Sequence, residues 1–202
     1  METFAPYELA HAQQLDATDA LPARRGDFHV PQHAGSDVVY FTGNSLGLQP
    51  EAAEAALRTE LNDWAEHGVE GHFRAQHPWV SCHERFAQGL SHIVGAKANE
   101  VVAMNALTVN LHLLLVSFYR PSGKRTKILC EAKAFPSDQY ALASQVRFHG
   151  GDPAVDIIEV APREGSTVIE EADIEAILHD RGDEIALVMM GGVQYFTGQW
   201  LD

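Results

Sequence analysis

Short apolar segments alternate with helix-like segments over the second half of the chain, and this alternation constrains the fold more than any other feature. Strands are predicted at residues 100–104, 127–131, 155–160 and 184–190. Helices are predicted between them at residues 107–119, 138–149 and 173–179. Continuous apolar strands separated by helices are typical of a parallel sheet covered on both faces. We therefore expect an α/β fold with a parallel-type sheet flanked by helices, and we expect the helix at 107–119, apolar nearly all round, to run through its core.

The first part of the chain has a weaker pattern, in which predicted helices are joined by long irregular segments. An N-terminal helical arm is predicted at residues 6–21, followed by an irregular segment at 22–37, a short strand at 38–41 and a turn-rich loop at 42–50. Gly43 and Gly47 in that loop permit positive φ angles. The next helix begins near Pro50 and ends before His67, because four apolar residues share one face at helical spacing. These residues are Ala53, Leu57, Leu61 and Trp64.

A change of pattern near residue 75 predicts a boundary between two parts, residues 1–75 and 76–202. Residues 67–78 are dense in histidine and glycine and are predicted to form a loop. A helix is predicted at residues 79–94, and Gly95 ends it.

Composition excludes several classes of function. The formal charge of −14, from 28 acidic and 14 basic residues, argues against a nucleic-acid partner. The longest apolar stretch, around residues 113–116, falls well short of the ~20 residues that a membrane-spanning helix needs. The N-terminus lacks a basic region followed by an apolar run, so no secretory signal is expected. Cys82 and Cys130 are interpreted as reduced packing residues, which fits a cytoplasmic protein.

Thr108 lies at the start of a predicted helix, directly after the strand at 100–104. The backbone N–H groups of a first helical turn are unpaired and lie at the positive end of the helix dipole, and a hydroxyl adds one more donor. This arrangement suits a phosphate group. The alternative is an ordinary helix cap, formed by Thr108 or equally by Asn105.

The segment Phe135-Pro136-Ser137-Asp138 repeats this arrangement one strand–helix unit later. An aromatic ring at the carboxyl end of a strand can stack on a flat heteroaromatic ring, and a carboxylate can pair with a protonated ring nitrogen or position a donor. The alternative places Phe135 in the core and makes Ser137 or Asp138 a helix cap.

His67, His72 and His77 recur every five residues, with Glu66 and Glu70 nearby. Such a set could gather a metal ion. However, an interval of five residues does not place ligands on one face of a helix, and the surrounding glycines predict a loop. We therefore expect no metal site here.

Four segments of the chain resemble the kynureninases in order and spacing. They are residues 43–50 (GNSLGLQP), 104–112 (MNALTVNLH), 131–138 (EAKAFPSD) and 192–199 (GVQYFTGQ). The kynureninases are pyridoxal-phosphate enzymes of the aminotransferase fold. The resemblance covers about four fifths of the chain, from about Val39 to the end. It implies an incomplete large domain at residues 76–202, preceded by an arm at 1–75 that contributes to the small domain and the dimer contact.

The resemblance also implies roles for individual residues. Leu107 and Thr108 match positions that bind the cofactor phosphate, and Phe135 matches the aromatic residue that stacks on the cofactor ring. Other matched positions line the cofactor cleft, namely Pro136, Ser137, Asp138 and Gly191, the last of which is serine in some relatives. Ser45 and His72 match positions that face the substrate, where His72 would help choose between kynurenine and 3-hydroxykynurenine.

The residue that forms the Schiff base in this family, a lysine, is expected beyond Asp202, so no catalytic residue is assigned within the chain. The lysines of the chain itself are predicted to be solvated surface charges: Lys97, Lys124, Lys127 and Lys133. The resemblance implies hydrolysis of the Cβ–Cγ bond of kynurenine or 3-hydroxykynurenine to (3-hydroxy)anthranilate and alanine, a step of tryptophan catabolism in the kynurenine pathway towards NAD. It implies a homodimer as the complete enzyme and an inactive chain in isolation. The alternative is a non-catalytic fragment or pseudoenzyme that binds a protein partner through its unfinished sheet.

Overall fold

The computed structural model describes residues 8–201. The described residues up to Arg85 form one compact unit, and those from Phe86 onward form a second. None of the helices among the described residues combines the length and apolarity that crossing a lipid bilayer requires.

The first unit begins with helix α1 (Leu9–Thr18), which confirms the central part of the helix predicted at 6–21; positions 6 and 7 lie outside the described residues. The segment at 22–37 is not wholly irregular as predicted. It contains a 3₁₀ turn (Arg25–Asp27) and a small hairpin of β1 (Gln32–His33) and β2 (Ser36–Asp37). The two residues that connect these strands both have positive φ, which matches the right-handed twist of a hairpin.

The strand predicted at 38–41 is wrong, because this segment pairs with no strand among the described residues. Val39 and Phe41 are 77% and 89% exposed, so the apolar side chains that suggested a strand are not buried. The loop at 42–50 is confirmed by a turn at residues 43–45. Neither Gly43 nor Gly47 uses the positive φ that glycine permits.

Helix α2 (Ala52–His67) has the bounds expected from the sequence, and Gly68 follows it with a φ of +52°. Its predicted apolar face, however, is largely exposed in the described residues. The segment at 67–78 is not a simple loop, since a 3₁₀ turn (Gly68–Glu70) and helix α3 (Gly71–Arg74) fold within it.

Helix α4 (Cys82–Val94) follows a 3₁₀ turn (Trp79–Ser81), and Gly95 ends it with a φ of +68°. The helix predicted at 79–94 is therefore confirmed. Cys82 is exposed, so its interpretation as a packing residue is wrong, whereas Cys130 is buried as expected.

The second unit contains a three-stranded parallel sheet in the order β4-β3-β5. Most of its strands and helices follow the predicted alternation: α5 (Leu107–Phe118), β3 (Lys127–Glu131), α6 (Pro136–Phe148), β4 (Ile157–Val160), α8 (Glu171–Arg181) and β5 (Ile185–Met189). Helix α7 (Pro153–Asp156) was not predicted, and it includes the first two residues of the strand predicted at 155–160. These elements confirm an α/β unit with a parallel sheet and flanking helices.

The strand predicted at 100–104 is wrong. A 3₁₀ turn occupies Ala98–Glu100, and the extended residues after it pair with no described strand. Val102 and Met104 are more than half exposed. A run of apolar residues becomes a strand only where a neighbouring strand receives its backbone hydrogen bonds.

The core of the second unit lies between β3 and two helices. Leu115 of α5 and Tyr119, the residue after this helix, pack with Ile128 and Cys130 of β3, and α6 adds Ala141, Leu142 and Val146. Burial raises the pKa of the Cys130 thiol to about 12, so this side chain is a neutral packing group. The expectation that α5 is buried all round is wrong, since its outer residues Leu114, Val116 and Phe118 are 54–64% exposed.

Lys127 is not a solvated surface charge as predicted. Its side chain is only 13% exposed, and its ammonium donates a hydrogen bond to the Val155 carbonyl at 2.9 Å. The same ammonium lies 3.9 Å from Asp156 and 3.8 Å from Glu184. The Thr126 hydroxyl, which donates to Asp156 at 2.7 Å, lowers the pKa of that carboxyl. Lys127 therefore joins the beginning of β3 to α7 and to the segment before β5.

Candidate functional site

The carboxyl ends of β3, β4 and β5 meet at one edge of the parallel sheet, which is where open α/β sheets bind ligands. The chain leaves β3 through a short turn that includes Lys133, a non-glycine residue with a φ of +56°, and then enters α6. It leaves β5 at Met189 and continues into Gly191 and Gly192. The residues predicted to line a cleft therefore lie on segments that begin at this edge.

Phe135 stands immediately before α6 and is half exposed, so the alternative that places it in the core is wrong. Pro136 occupies the first turn, where its missing N–H costs no hydrogen bond. The Ser137 hydroxyl donates to the Asp138 carboxylate at 3.1 Å, and no side chain caps the helix. The alternative that makes Ser137 or Asp138 the cap is wrong as well.

The Phe135 ring packs edge-to-face against Tyr195, with ring centroids 5.1 Å apart and planes at 83°. Tyr195 lies on the segment after β5, so this contact joins that segment to the start of α6. Tyr195 was not predicted as a site residue. The only signal for it in the sequence is its place inside the 192–199 segment that carried the family resemblance.

Glu131, the last residue of β3, is a second feature that the sequence did not indicate. It is 7% exposed, and its Oε2 atom has no hydrogen-bond partner among the described residues. Burial raises the pKa of its carboxyl, and the negative charge of Asp138 raises it further. A Cβ atom at Gly191 would stand 3.3 Å from Glu131 Oε1, so the turn after β5 passes directly beside this carboxyl.

The start of α5 is open to a ligand. Ala106 is its N-cap, no side chain caps it, and Thr108 in its first turn is exposed. The Asn105 side chain bonds to Asn110 at 3.5 Å instead. The alternative of an ordinary cap by Thr108 or Asn105 is therefore wrong, and the first-turn N–H groups keep their capacity to bind an anion.

Helix α5 packs against α6. Between the helices, Gln145 Nε2 lies 3.3 Å from His112 Nδ1. Because both helices also pack on β3, a single core positions the segments that begin at Leu107 and at Pro136.

A cavity of about 570 Å³ lies beside this edge of the sheet. The Gln199 amide, which bonds to the backbone of Ile169 at 2.8 and 2.6 Å, holds two of its loops together. Tyr195 contributes to its wall and also contacts Phe135, whereas Thr108, Phe135 and Gly191 do not line it.

Comparison with curated proteins gives extensive matches. The chain is 57% identical to a kynureninase of Flavobacterium psychrophilum over 194 residues, which are 96% of this chain and 46% of that protein. It is 54% identical to a kynureninase of Myxococcus xanthus over 192 residues, 95% of this chain and 45% of the relative. The chain is therefore similar to curated kynureninases over nearly its whole length and corresponds to their N-terminal portion. It spans about half the length of the curated relatives that it matches, and no protein-family model matches it.

The two residues that the kynureninase resemblance assigns to the substrate both belong to the first unit. Ser45 lies in an exposed turn, and its N–H donates to the Thr42 carbonyl at 2.9 Å. His72 lies in α3, and its ring packs edge-on against Trp79 with centroids 5.5 Å apart. The indole N–H of Trp79 donates to Glu60 at 2.8 Å, so α2 holds the tryptophan that supports His72.

The other lysines of this kynureninase-like chain are surface groups. Lys124 pairs with Asp183, and Lys97 lies 3.8 Å from Glu100. Lys133 is exposed and lines the 570 Å³ cavity. In the part of the chain that the structure describes, no three His, Cys, Asp or Glu side chains are grouped so that they could hold a metal ion.

Proposed function

We propose that this chain supplies the cofactor-phosphate site and part of the substrate wall of a kynureninase. The complete enzyme would use pyridoxal 5′-phosphate to hydrolyse the Cβ–Cγ bond of kynurenine or 3-hydroxykynurenine, and it would release anthranilate or 3-hydroxyanthranilate and alanine. The observation that carries the proposal is that two helices packed on one core, α5 with an uncapped start and α6 with an exposed phenylalanine before it, occur in a chain 57% identical to a kynureninase.

The residues at the sheet edge fit pyridoxal 5′-phosphate. The free N–H groups at Leu107 and Thr108 and the Thr108 hydroxyl would bind the phosphate, as helix N-termini do for anions. The half-exposed ring of Phe135, fixed from one side by Tyr195, would stack on the pyridine. Asp138 and Gly191 would line the cleft around it. When bound, the cofactor supplies an electron sink for the carbon that carries the substrate amino group.

We propose that Ser45 and His72 contact the substrate and that His72 influences the choice between kynurenine and its 3-hydroxy form. The Trp79 ring fixes the His72 imidazole in one orientation, which is what a residue that distinguishes a ring hydroxyl requires. For the chain as a whole, we propose that residues 1–75 serve the small domain and dimer contact and that residues 76–202 begin the large domain of an aminotransferase-type fold. We also propose that a lysine outside this chain forms the Schiff base and that the complete enzyme is a cytoplasmic homodimer. The isolated chain would then be inactive.

A second candidate is a non-catalytic role in which the chain binds a protein partner. The exposed apolar side chains of α5, among them Leu114, Val116 and Phe118, favour it because exposed apolar surface is characteristic of contact sites.

A fusion protein separates the two candidates. This chain would replace the matched 46% of the Flavobacterium psychrophilum kynureninase, and anthranilate release from kynurenine would be followed by its fluorescence. We expect the fusion to be active, the isolated chain to be inactive, and the fusion with Phe135→Ala to lose most of its activity. A folded but inactive fusion would favour the binding role. Anthranilate release by the isolated chain would show that one of its own lysines can form the Schiff base.

A further inference from the structure

Glu131 is a buried carboxyl whose Oε2 atom has no hydrogen-bond partner among the described residues. It is 7% exposed, and its Oε2 atom is fully enclosed. Burying an ionised carboxylate without partners is very costly, whereas a protonated carboxyl at the same place costs far less. The position therefore favours the neutral form of the side chain.

The charges around Glu131 favour the same form. From α6 the nearby charged group is Asp138, whose negative charge raises the Glu131 pKa. On β4, Glu159 stands opposite Cys130 in the strand register, so its side chain lies on the other face of the sheet from Glu131. Strand β5 (Ile185–Met189) has only apolar side chains. Burial and Asp138 raise the pKa of Glu131, and no cation among the described residues lowers it.

The position of Glu131 connects two segments of the cleft. Asp138 lies in the first turn of α6, and Gly191 lies in the turn after β5, with its virtual Cβ 3.3 Å from Glu131 Oε1. A negative charge on Glu131 would stand beside Asp138 and would oppose the binding of an anionic ligand at this edge of the sheet.

We propose that Glu131 is a proton-holding positioning residue at the base of the cofactor cleft. Its neutral carboxyl fills the space between the turn after β5 and the start of α6 without adding negative charge, and its ionisation weakens binding of the phosphorylated cofactor. This role rests on the proposed function, and nothing in the family resemblance assigned it.

Infrared spectroscopy of the wild-type chain and of two variants detects directly whether the Glu131 carboxyl is protonated. We expect the wild-type chain to keep a carbonyl stretch of a neutral carboxylic acid as pH rises above 4.5, where carboxyls with an ordinary pKa ionise. The band should be absent in Glu131→Gln and retained in Glu159→Gln, the matched control on an exposed glutamate of the neighbouring strand. A wild-type chain without this band would overturn the proposal.

The pH dependence of thermal stability provides a second test of the protonation of Glu131. A carboxyl whose pKa is raised in the folded state binds its proton more tightly there, so its contribution to stability is full below its ordinary pKa of 4.5 and is lost as pH rises through the raised value. Wild type should therefore lose thermal stability relative to Glu131→Gln as pH rises above 4.5. If the thermal stabilities of the two proteins changed with pH in parallel, the claim that Glu131 holds a proton would be contradicted.

Ligand binding tests the positioning role. Pyridoxine 5′-phosphate is the probe, because it lacks the aldehyde and cannot react with lysines. The affinity of Glu131→Gln relative to wild type should rise roughly 3- to 10-fold with pH, as for a coupling of about half to one pKa unit. Comparing the two proteins cancels the ionisation of the phosphate itself. A neutral band with a constant affinity ratio would overturn only the role of Glu131, whereas absence of binding by wild type would overturn the proposed function and this role together.

Discussion

Replacing Leu115 by alanine is expected to lower the free energy of unfolding by about 2–5 kcal/mol. Leu115 is 2% exposed and belongs to the core cluster formed by α5, β3 and α6. Its truncation removes apolar contacts and leaves a cavity, because the surrounding helices and strand cannot close fully over it. Urea denaturation followed by circular dichroism would measure the change.

The adjacent residue provides a matched control. Leu114 is 54% exposed on the outer face of α5, so Leu114→Ala removes the same atoms from the same helix at a site that solvent already reaches. Its effect should stay within about 0.5 kcal/mol. Equal losses for the two variants would mean that α5 is not oriented with Leu115 towards the sheet.

Replacing Gly71 by alanine is expected to cost about 1–3 kcal/mol through overpacking. A Cβ at this position would stand 2.4–2.8 Å from three ring atoms of Trp79, so the indole or the helix must shift. The same indole supports the His72 ring, and tryptophan fluorescence should change together with stability. Chemical denaturation monitored by that fluorescence measures both effects.

Gly43→Ala serves as the control for Gly71→Ala. Gly43 has no atom within 4 Å of its virtual Cβ and does not have a positive φ. Alanine there should leave stability nearly unchanged or raise it slightly, because it restricts the unfolded chain. If Gly71→Ala were as stable as Gly43→Ala, the close packing of Trp79 over α3 would be contradicted.

The sequence alone predicted the elements whose local pattern and tertiary environment agree. Strand β3 is buried, and helices α5 and α6 each place part of their apolar residues in the same core, so their bounds were nearly correct. The predicted strands at 38–41 and 100–104 failed because apolar residues form a strand only where another strand pairs with them. The hairpin of β1 and β2 was missed because two-residue polar strands carry no alternation of apolar and polar residues.

The candidate site also contains features that the local sequence predicted and features that it did not. The helix starts near Thr108 and Phe135 were predicted from the sequence, and helices α5 and α6 begin there. Glu131 and Tyr195 were not predicted, because the burial of one and the ring contact of the other depend on segments distant in sequence that meet at the edge of the sheet. Lys127 was misjudged for the same reason, as its partners come from α7 and from the segment before β5.

The central claim is that the starts of α5 and α6 together hold a phosphorylated pyridine. The most direct measurement compares the dissociation constants of pyridoxine 5′-phosphate and pyridoxine with the wild-type chain by fluorescence titration. We expect the phosphate ester to bind about 10- to 150-fold more tightly, as for one hydrogen-bonded charge worth roughly 1.5–3 kcal/mol. Thr108→Val should reduce the ratio of the two dissociation constants. Phe135→Ala should raise both dissociation constants by a similar factor. Equal affinity of the wild-type chain for the two ligands would contradict the claim.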